Sequence, residues 1–159
     1  MIMEHQPAGA GRRSGAGRGR GAPARGILVV EDDPRDLELT LRALRDLPAA
    51  GDAEVARDGV EALRRLFTGD QARDFRVVLL DLKLPDIDGR EVLRRIRADE
   101  RTRTLPVVVL TGSAAERDLE DTYALGASSY VVKPTDTDAF RRTMAGLVGY
   151  WLQVNEFAP

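Results

Sequence analysis

Val77-Val78-Leu79-Leu80-Asp81 is an unbroken apolar run that ends in a carboxylate. Four consecutive apolar residues without alternation are the pattern of a strand covered on both faces, as in a parallel sheet. Three other runs repeat the plan. Ile27-Leu28-Val29-Val30 ends in Glu31-Asp32-Asp33, Val107-Val108-Val109-Leu110 ends in Thr111, and Val131-Val132 ends in Lys133-Pro134. Ala53-Glu54-Val55-Ala56-Arg57 is a fifth, weaker strand, expected at a sheet edge. Helical periodicity fills the intervals, and such alternation argues for βα units in an α/β fold. With the runs parallel, acids, a hydroxyl and an ammonium converge on one edge.

Caps place the helices between those strands. Asp33-Pro34 supplies an N-cap and a proline at the first helical position, followed by Leu37, Leu41 and Leu44 on one face. Asp58 opens a second helix with Leu63 and Leu66, and Asp88 a third with Val92, Leu93 and Ile96. Ser113-Ala114-Ala115-Glu116 reads as a capping box for a fourth helix, which Gly126 ends. The last helix is expected to begin between Thr135 and Thr137. Its apolar stripe is Phe140, Met144, Leu147, Val148, Trp151 and Leu152.

In open doubly wound sheets, ligands bind beyond the carboxyl ends of the strands, where strand order reverses. Glu31-Asp32 and Asp81 close the first and third strands, so their carboxylates meet if those strands flank that point. Hard oxygens in that number suit Mg²⁺, which binds through one or two carboxylates plus phosphate and keeps several waters. A backbone carbonyl just after Asp81, that of Lys83, can complete the set. A carboxylate can also act as a nucleophile and form an aspartyl phosphate. Lys133 can spread the charge of a transferring phosphoryl group, and Thr111 offers a hydroxyl to its oxygens.

Composition narrows the alternatives. The chain has 159 residues, 43% hydrophobic and 31% charged, which suits one soluble domain. It lacks cysteine, which excludes disulfides, thiolate metal sites and a cysteine nucleophile. No apolar stretch approaches the ~20 residues that cross a bilayer, and the N-terminus has no signal-like apolar core. A cytoplasmic protein is expected. Residues 1–25 hold five arginines against Glu4, a net of +4, which leaves −6 on the rest of a chain whose total is −2. That Arg/Gly/Ala-rich segment has almost nothing to bury and reads as a disordered, solvated tail. The competing reading, an electrostatic arm for nucleic acid, carries less weight.

Four stretches together resemble the receiver domain of two-component response regulators. They are Val29-Val30-Glu31-Asp32, the run from Leu80 to Gly89, Leu110-Thr111-Gly112, and the run from Gly126 to Pro134. The resemblance covers residues 26–152. It implies a flavodoxin-like (βα)5 three-layer sandwich whose parallel five-stranded sheet has the order 2-1-3-4-5. It also implies roles. Asp81 matches the phospho-acceptor, Asp32 the metal-binding acid with Glu31 as its accessory, Lys133 the phosphoryl-pairing lysine, Thr111 the switch hydroxyl and Tyr130 the switch aromatic. Asp33 is assigned to the helix cap. Gly112 stands where alanine is commoner. Lys83 and Ser113, two residues beyond the aspartate and the threonine, occupy positions that tune phosphoryl lifetime.

Glu31-Asp32-Asp33-Pro34, Asp81-Leu82-Lys83-Leu84-Pro85, Gly89-Arg90-Glu91-Val92-Leu93 and Leu110-Thr111-Gly112-Ser113 are similar to the small regulators paired with bacterial and cyanobacterial phytochromes. That subgroup implies a longer last helix and an apolar C-terminal extension, here 153–159. Tyr150, Trp151, Leu152 and Phe157 are therefore candidates for a homodimer contact. The implied function is phosphoryl acceptance from a histidine kinase, with no output domain and no catalysis beyond the protein's own Mg²⁺-dependent phosphorylation and slow dephosphorylation. A receiver serving only as a binding or dimerisation module is the alternative. A flavin-binding protein is a further one, disfavoured because three carboxylates stand where a phosphate would be cradled.

Overall fold

Strand β1 (Ile27–Val30) lies near the middle of a five-stranded sheet and is buried along its whole length. The computed structural model describes residues 26–51, 53–68 and 75–157. The expected tail over 1–25 and the end of the C-terminal extension lie outside the described residues. After β1 come α1 (Pro34–Arg45), a 3-10 turn (Pro48–Ala50), β2 (Glu54–Ala56), α2 (Gly59–Phe67), β3 (Val77–Leu80) and α3 (Gly89–Ala98). β4 (Val107–Thr111), α4 (Glu116–Ala124), β5 (Ser129–Val132), α5 (Thr137–Gly149) and a π-helical turn (Tyr150–Val154) complete the described order.

The sheet runs β2-β1-β3-β4-β5, every pairing parallel. This is the order the resemblance implies, with β2 at an edge. Successive side chains on a strand point to opposite faces, so each continuous run feeds two cores. Ile27, Val29, Val77, Leu79, Val108 and Leu110 meet Leu37 and Leu44 of α1 and Phe140, Met144 and Val148 of α5. Leu28, Val30, Val78, Leu80 and Val107 meet Leu63 and Leu66 of α2 and Val92, Leu93 and Ile96 of α3. The result is helix, sheet, helix. β4 is buried throughout, whereas the edge strand β5 is half-buried with Val132 exposed.

The caps at Asp33, Asp58 and Asp88 are formed. Asp33 accepts from the N–H groups of Arg35 and Asp36, Asp58 from Glu61, and Asp88 from Arg90. Asp136 caps α5 by accepting from Ala139. The fourth helix differs from expectation. α4 begins at Glu116 behind Ala115, which has no side-chain cap. Ser113 Oγ donates instead to Asp118 Oδ2 at 2.5 Å and accepts from the Ala115 N–H at 3.3 Å. The hydroxyl bridges a turn before the helix rather than capping it. Gly126, at φ 92°, ends α4 in the left-handed region that suits glycine.

Beyond Gly149 the helix widens to π geometry, and Trp151 and Leu152 both turn into the α1–α5 core. Both are among the homodimer candidates, and both pack within this protein's own core. Tyr150 and Val154 face outward, 51% and 67% exposed. Arg76 lies over the Phe157 ring, 4.7 Å from its centroid, which brings Phe157 back beside the start of β3. Among the described residues, no helix is long and apolar enough to cross a membrane.

Candidate functional site

Register brings the acids together. Val30 pairs with Leu80, so Glu31 and Asp81 leave neighbouring strands side by side. The ladder continues one step: the Asp81 N–H donates to the Val30 carbonyl and the Glu31 N–H to the Ala56 carbonyl, each at 3.0 Å. Glu31, Asp32 and Asp81 each offer a carboxylate oxygen, all within 4.8 Å of one another. On the other side Thr111 pairs with Val132, and the Lys133 N–H donates to the Thr111 carbonyl at 2.7 Å. Lys133 thus follows β5 onto the same edge.

Its ammonium occupies the cluster. Lys133 Nζ donates to Glu31 Oε2 at 2.5 Å, to Asp36 Oδ2 at 2.7 Å and to Asp81 Oδ2 at 3.0 Å. The Lys133, Glu31 and Asp81 side chains are nearly out of water, at 8%, 4% and 10% exposure. Burial pushes the Glu31 carboxyl up to about 7, against the lowering pull of Lys133, with Asp81 adding to the rise. For Lys133, burial alone disfavours the charge, but hydrogen bonds to Asp36 and Glu31 and the field of Asp81 outweigh it and raise the pKa. Both results express one condition: an excess of carboxylate in a space with little water.

The donor set fits a divalent cation of the Mg²⁺ type. Four acids (Glu31, Asp32, Asp36 and Asp81) face a single ammonium, and every side-chain ligand atom offered is a hard oxygen. Asp32 is exposed and Asp81 buried, so the acids grade from solvent inward. The Lys83 side chain is exposed, and its N–H donates to Asp81 Oδ1 at 3.3 Å. Gly89, the first residue of α3, sits so tightly that a Cβ there would fall 2.3 Å from the Asp81 carbonyl oxygen. That contact sets the depth at which the Asp81 loop leaves the sheet.

Thr111 is fully buried at the end of β4, and its Oγ1 accepts from the Ser113 N–H at 3.4 Å. Tyr130 is half-buried, and its hydroxyl donates to the Ser113 carbonyl at 2.9 Å. Burial raises the Tyr130 phenol pKa. A Cβ on Gly112 would meet nothing within 4 Å, so the mouth beside Thr111 is open. The switch candidates thus meet at the β4–α4 loop, while Glu31, Asp32, Asp81 and Lys133 form the polar cluster itself.

Two features were not read from the sequence. Asp36 joins the cluster from the first turn of α1, where an acid is already accounted for by the helix dipole. Arg90 pairs with Asp118 and lies 3.3 Å from Asp88, tying the start of α3 to α4 across the mouth of the site. The hydrogen bond from Ser113, then the field of Arg90, holds the Asp118 pKa below its ordinary value.

The response regulator receiver domain family matches residues 27–145. The chain is 43% identical over 131 residues to the probable methanogenesis regulatory protein FilR2 of Methanothrix harundinacea, spanning 81% of this chain and 84% of that protein. The phosphorylated cyanobacterial phytochrome response regulator RcpA superposes with a TM-score of 0.78 at 33% identity, covering 85% of this chain and 99% of RcpA. The bacteriophytochrome response regulator AtBRR is 47% identical, with a TM-score of 0.63 over 83% of this chain and 98% of AtBRR. The Mn²⁺-bound response regulator Rcp1 has a TM-score of 0.73 at 31% identity, covering 85% of this chain and 99% of Rcp1. The matched residues hold all five strands and the whole acidic edge, and the chain belongs to the receiver domains of two-component response regulators, with phytochrome-associated regulators among its relatives.

Proposed function

We propose that Asp81 accepts a phosphoryl group from a histidine kinase, and that a phytochrome photoreceptor is that kinase. The observation that carries this reading is the placement of Asp81. Its carboxylate lies 3.0 Å from the Lys133 ammonium and within 4.8 Å of Glu31 and Asp32. The resemblance to RcpA and AtBRR supports the choice of a phytochrome input.

In the proposed step an Asp81 carboxylate oxygen forms a bond to phosphorus as the bond from phosphorus to the donor's imidazole nitrogen breaks. The imidazole keeps the electron pair. Glu31, Asp32, Asp81 and the Lys83 backbone carbonyl would hold Mg²⁺, which when bound supplies positive charge for the phosphoryl oxygens. Lys133 donates to the same oxygens. Thr111 then turns its hydroxyl toward the phosphoryl group, and Tyr130 leaves the Ser113 carbonyl to pack inward. The α4–β5–α5 face changes shape, and the signal leaves by protein contact. A local charge event thereby biases a two-state element.

The module-only reading, without phosphorylation, is not favoured, because the acids and Lys133 stand together. Acetyl phosphate with Mg²⁺ is expected to label the wild type on Asp81 and to leave Asp81→Asn unlabelled, read by intact-protein mass. Equal labelling of both would remove Asp81 from the role. In a phosphotransfer profile across histidine kinases, a phytochrome kinase is expected to transfer fastest.

A further inference from the structure

We propose that Asp36 is a positioning residue that competes with the phosphoryl group for Lys133 and so limits how readily Asp81 is phosphorylated. This inference rests on the phospho-acceptor reading and concerns a residue that reading leaves unused.

An ammonium has three N–H donors. All three of Lys133 are engaged, by Glu31, Asp36 and Asp81. A phosphoryl group on Asp81 brings further strong acceptor oxygens; one can take over the donor now on Asp81 Oδ2, and a second needs a donor from Glu31 or Asp36. One present partner must let go. Burial decides which. The Glu31 side chain is 4% exposed, so water cannot take the place of the ammonium on it, and only a cation bound in the cluster could. The Asp36 side chain is 40% exposed, so water can replace the ammonium on it at little cost. Asp36 is the partner that yields.

The contact is also built rather than incidental. The Asp36 N–H is bonded at 3.0 Å to Asp33 Oδ1, the α1 cap, which fixes the first turn facing Lys133. Asp36 Oδ2 holds Nζ at 2.7 Å, closer than the 3.0 Å to Asp81 Oδ2. An interaction present before transfer and lost during it raises the barrier. When Asp81 oxygen bonds to the phosphorus of acetyl phosphate and acetate departs with its electron pair, a second Lys133 donor reaches the phosphoryl group by giving up Asp36.

The test is the initial rate of labelling by acetyl phosphate with saturating Mg²⁺, together with the affinity for beryllofluoride. Asp36→Asn is expected to raise both on the order of fivefold, the scale of one partly exposed ion pair. Asp36→Glu keeps the charge and is expected to stay near wild type. Asp36→Ala serves as a second neutral variant, and urea melts check that each is folded. In a Lys133→Ala background the gain from Asp36→Asn is expected to vanish, because the effect passes through the ammonium. Rates and affinities unchanged or lowered in Asp36→Asn and Asp36→Ala, with the wild type labelled, overturn this inference alone. So does a gain that persists without Lys133, which would make Asp36 a general charge effect on an anionic donor. Failure to label the wild type overturns the phospho-acceptor reading and this inference with it.

Discussion

Glu31 is the acid whose state the site most constrains. It is 3% exposed, touches the Lys133 ammonium at 2.5 Å, and accepts from the Asp33 N–H through its other oxygen at 3.1 Å. Burial still lifts its pKa from 4.5 to about 7. Between those values the folded, metal-free protein holds a proton that the unfolded chain does not. Stability from this group is therefore fully present below the unfolded pKa and is lost as pH rises through about 7. A divalent cation favours the carboxylate and must expel that proton. Mg²⁺ binding is expected to tighten as pH rises through neutrality and to release protons at about pH 6.5. Calorimetry in two buffers of unequal ionisation heat reads the release directly. Identical heats in both buffers would show that Glu31 is already ionised, and Glu31→Gln is expected to abolish the difference. The sequence showed Glu31, Asp81 and Lys133 because each directly follows a strand run, with Asp32 one residue on, and the end of a buried strand is where a polar residue needs a reason. Asp36 offered no such contrast, since acids in a helix's first turn are ordinary.

At the scale of elements, glycines separate contact from propensity. Gly89 starts α3 against the Asp81 loop, where a Cβ would lie 2.3 Å from the Asp81 carbonyl oxygen and 2.7 Å from Leu82 Cα. Both neighbours are backbone and cannot move aside cheaply. Gly89→Ala is expected to cost about 1–3 kcal/mol by overpacking. It should also lower the rate of Asp81 phosphorylation, because the loop that carries the acid must shift. Gly146 sits in α5 with open space around a Cβ, and Gly146→Ala is expected to stabilise by about 0.5–1 kcal/mol through helix propensity alone. Urea denaturation of the two variants measures both signs, and a neutral Gly89→Ala would mean that the α3 start does not brace the site. Caps were legible where an Asp stands immediately before a helix, as at residues 33, 58 and 88. The α4 boundary was not, because the hydroxyl that would cap it has a carboxylate partner in Asp118. A motif scan over four residues does not see that longer-range competitor.

For the whole molecule, the apolar C-terminus decides how much of the surface remains for a partner. Periodicity alone extended the α5 stripe to Trp151 and Leu152 but could not tell a core face from an interface, because both are apolar at helical spacing. A widening of the helix at Tyr150–Val154 resolves this for two of the residues by turning Trp151 and Leu152 inward, to 9% and 6% exposure. There they join Ala50 beyond α1 and Val148 of α5 in one core. Truncating a buried tryptophan leaves a cavity, so Trp151→Ala is expected to cost about 3–5 kcal/mol. If that loss belongs to the folded chain itself, it will be the same at low and high micromolar protein. A homodimer held by this end would instead draw on the outward Tyr150 and Val154, and its contribution would grow with protein concentration. Tyr150→Ala with Val154→Ala is then expected to leave the dilute melt within about 0.5 kcal/mol of wild type while lowering the mass found by light scattering in concentrated samples. A wild type that scatters as a monomer at high micromolar concentration, with and without beryllofluoride, rejects the homodimer and leaves Trp151 a purely internal anchor.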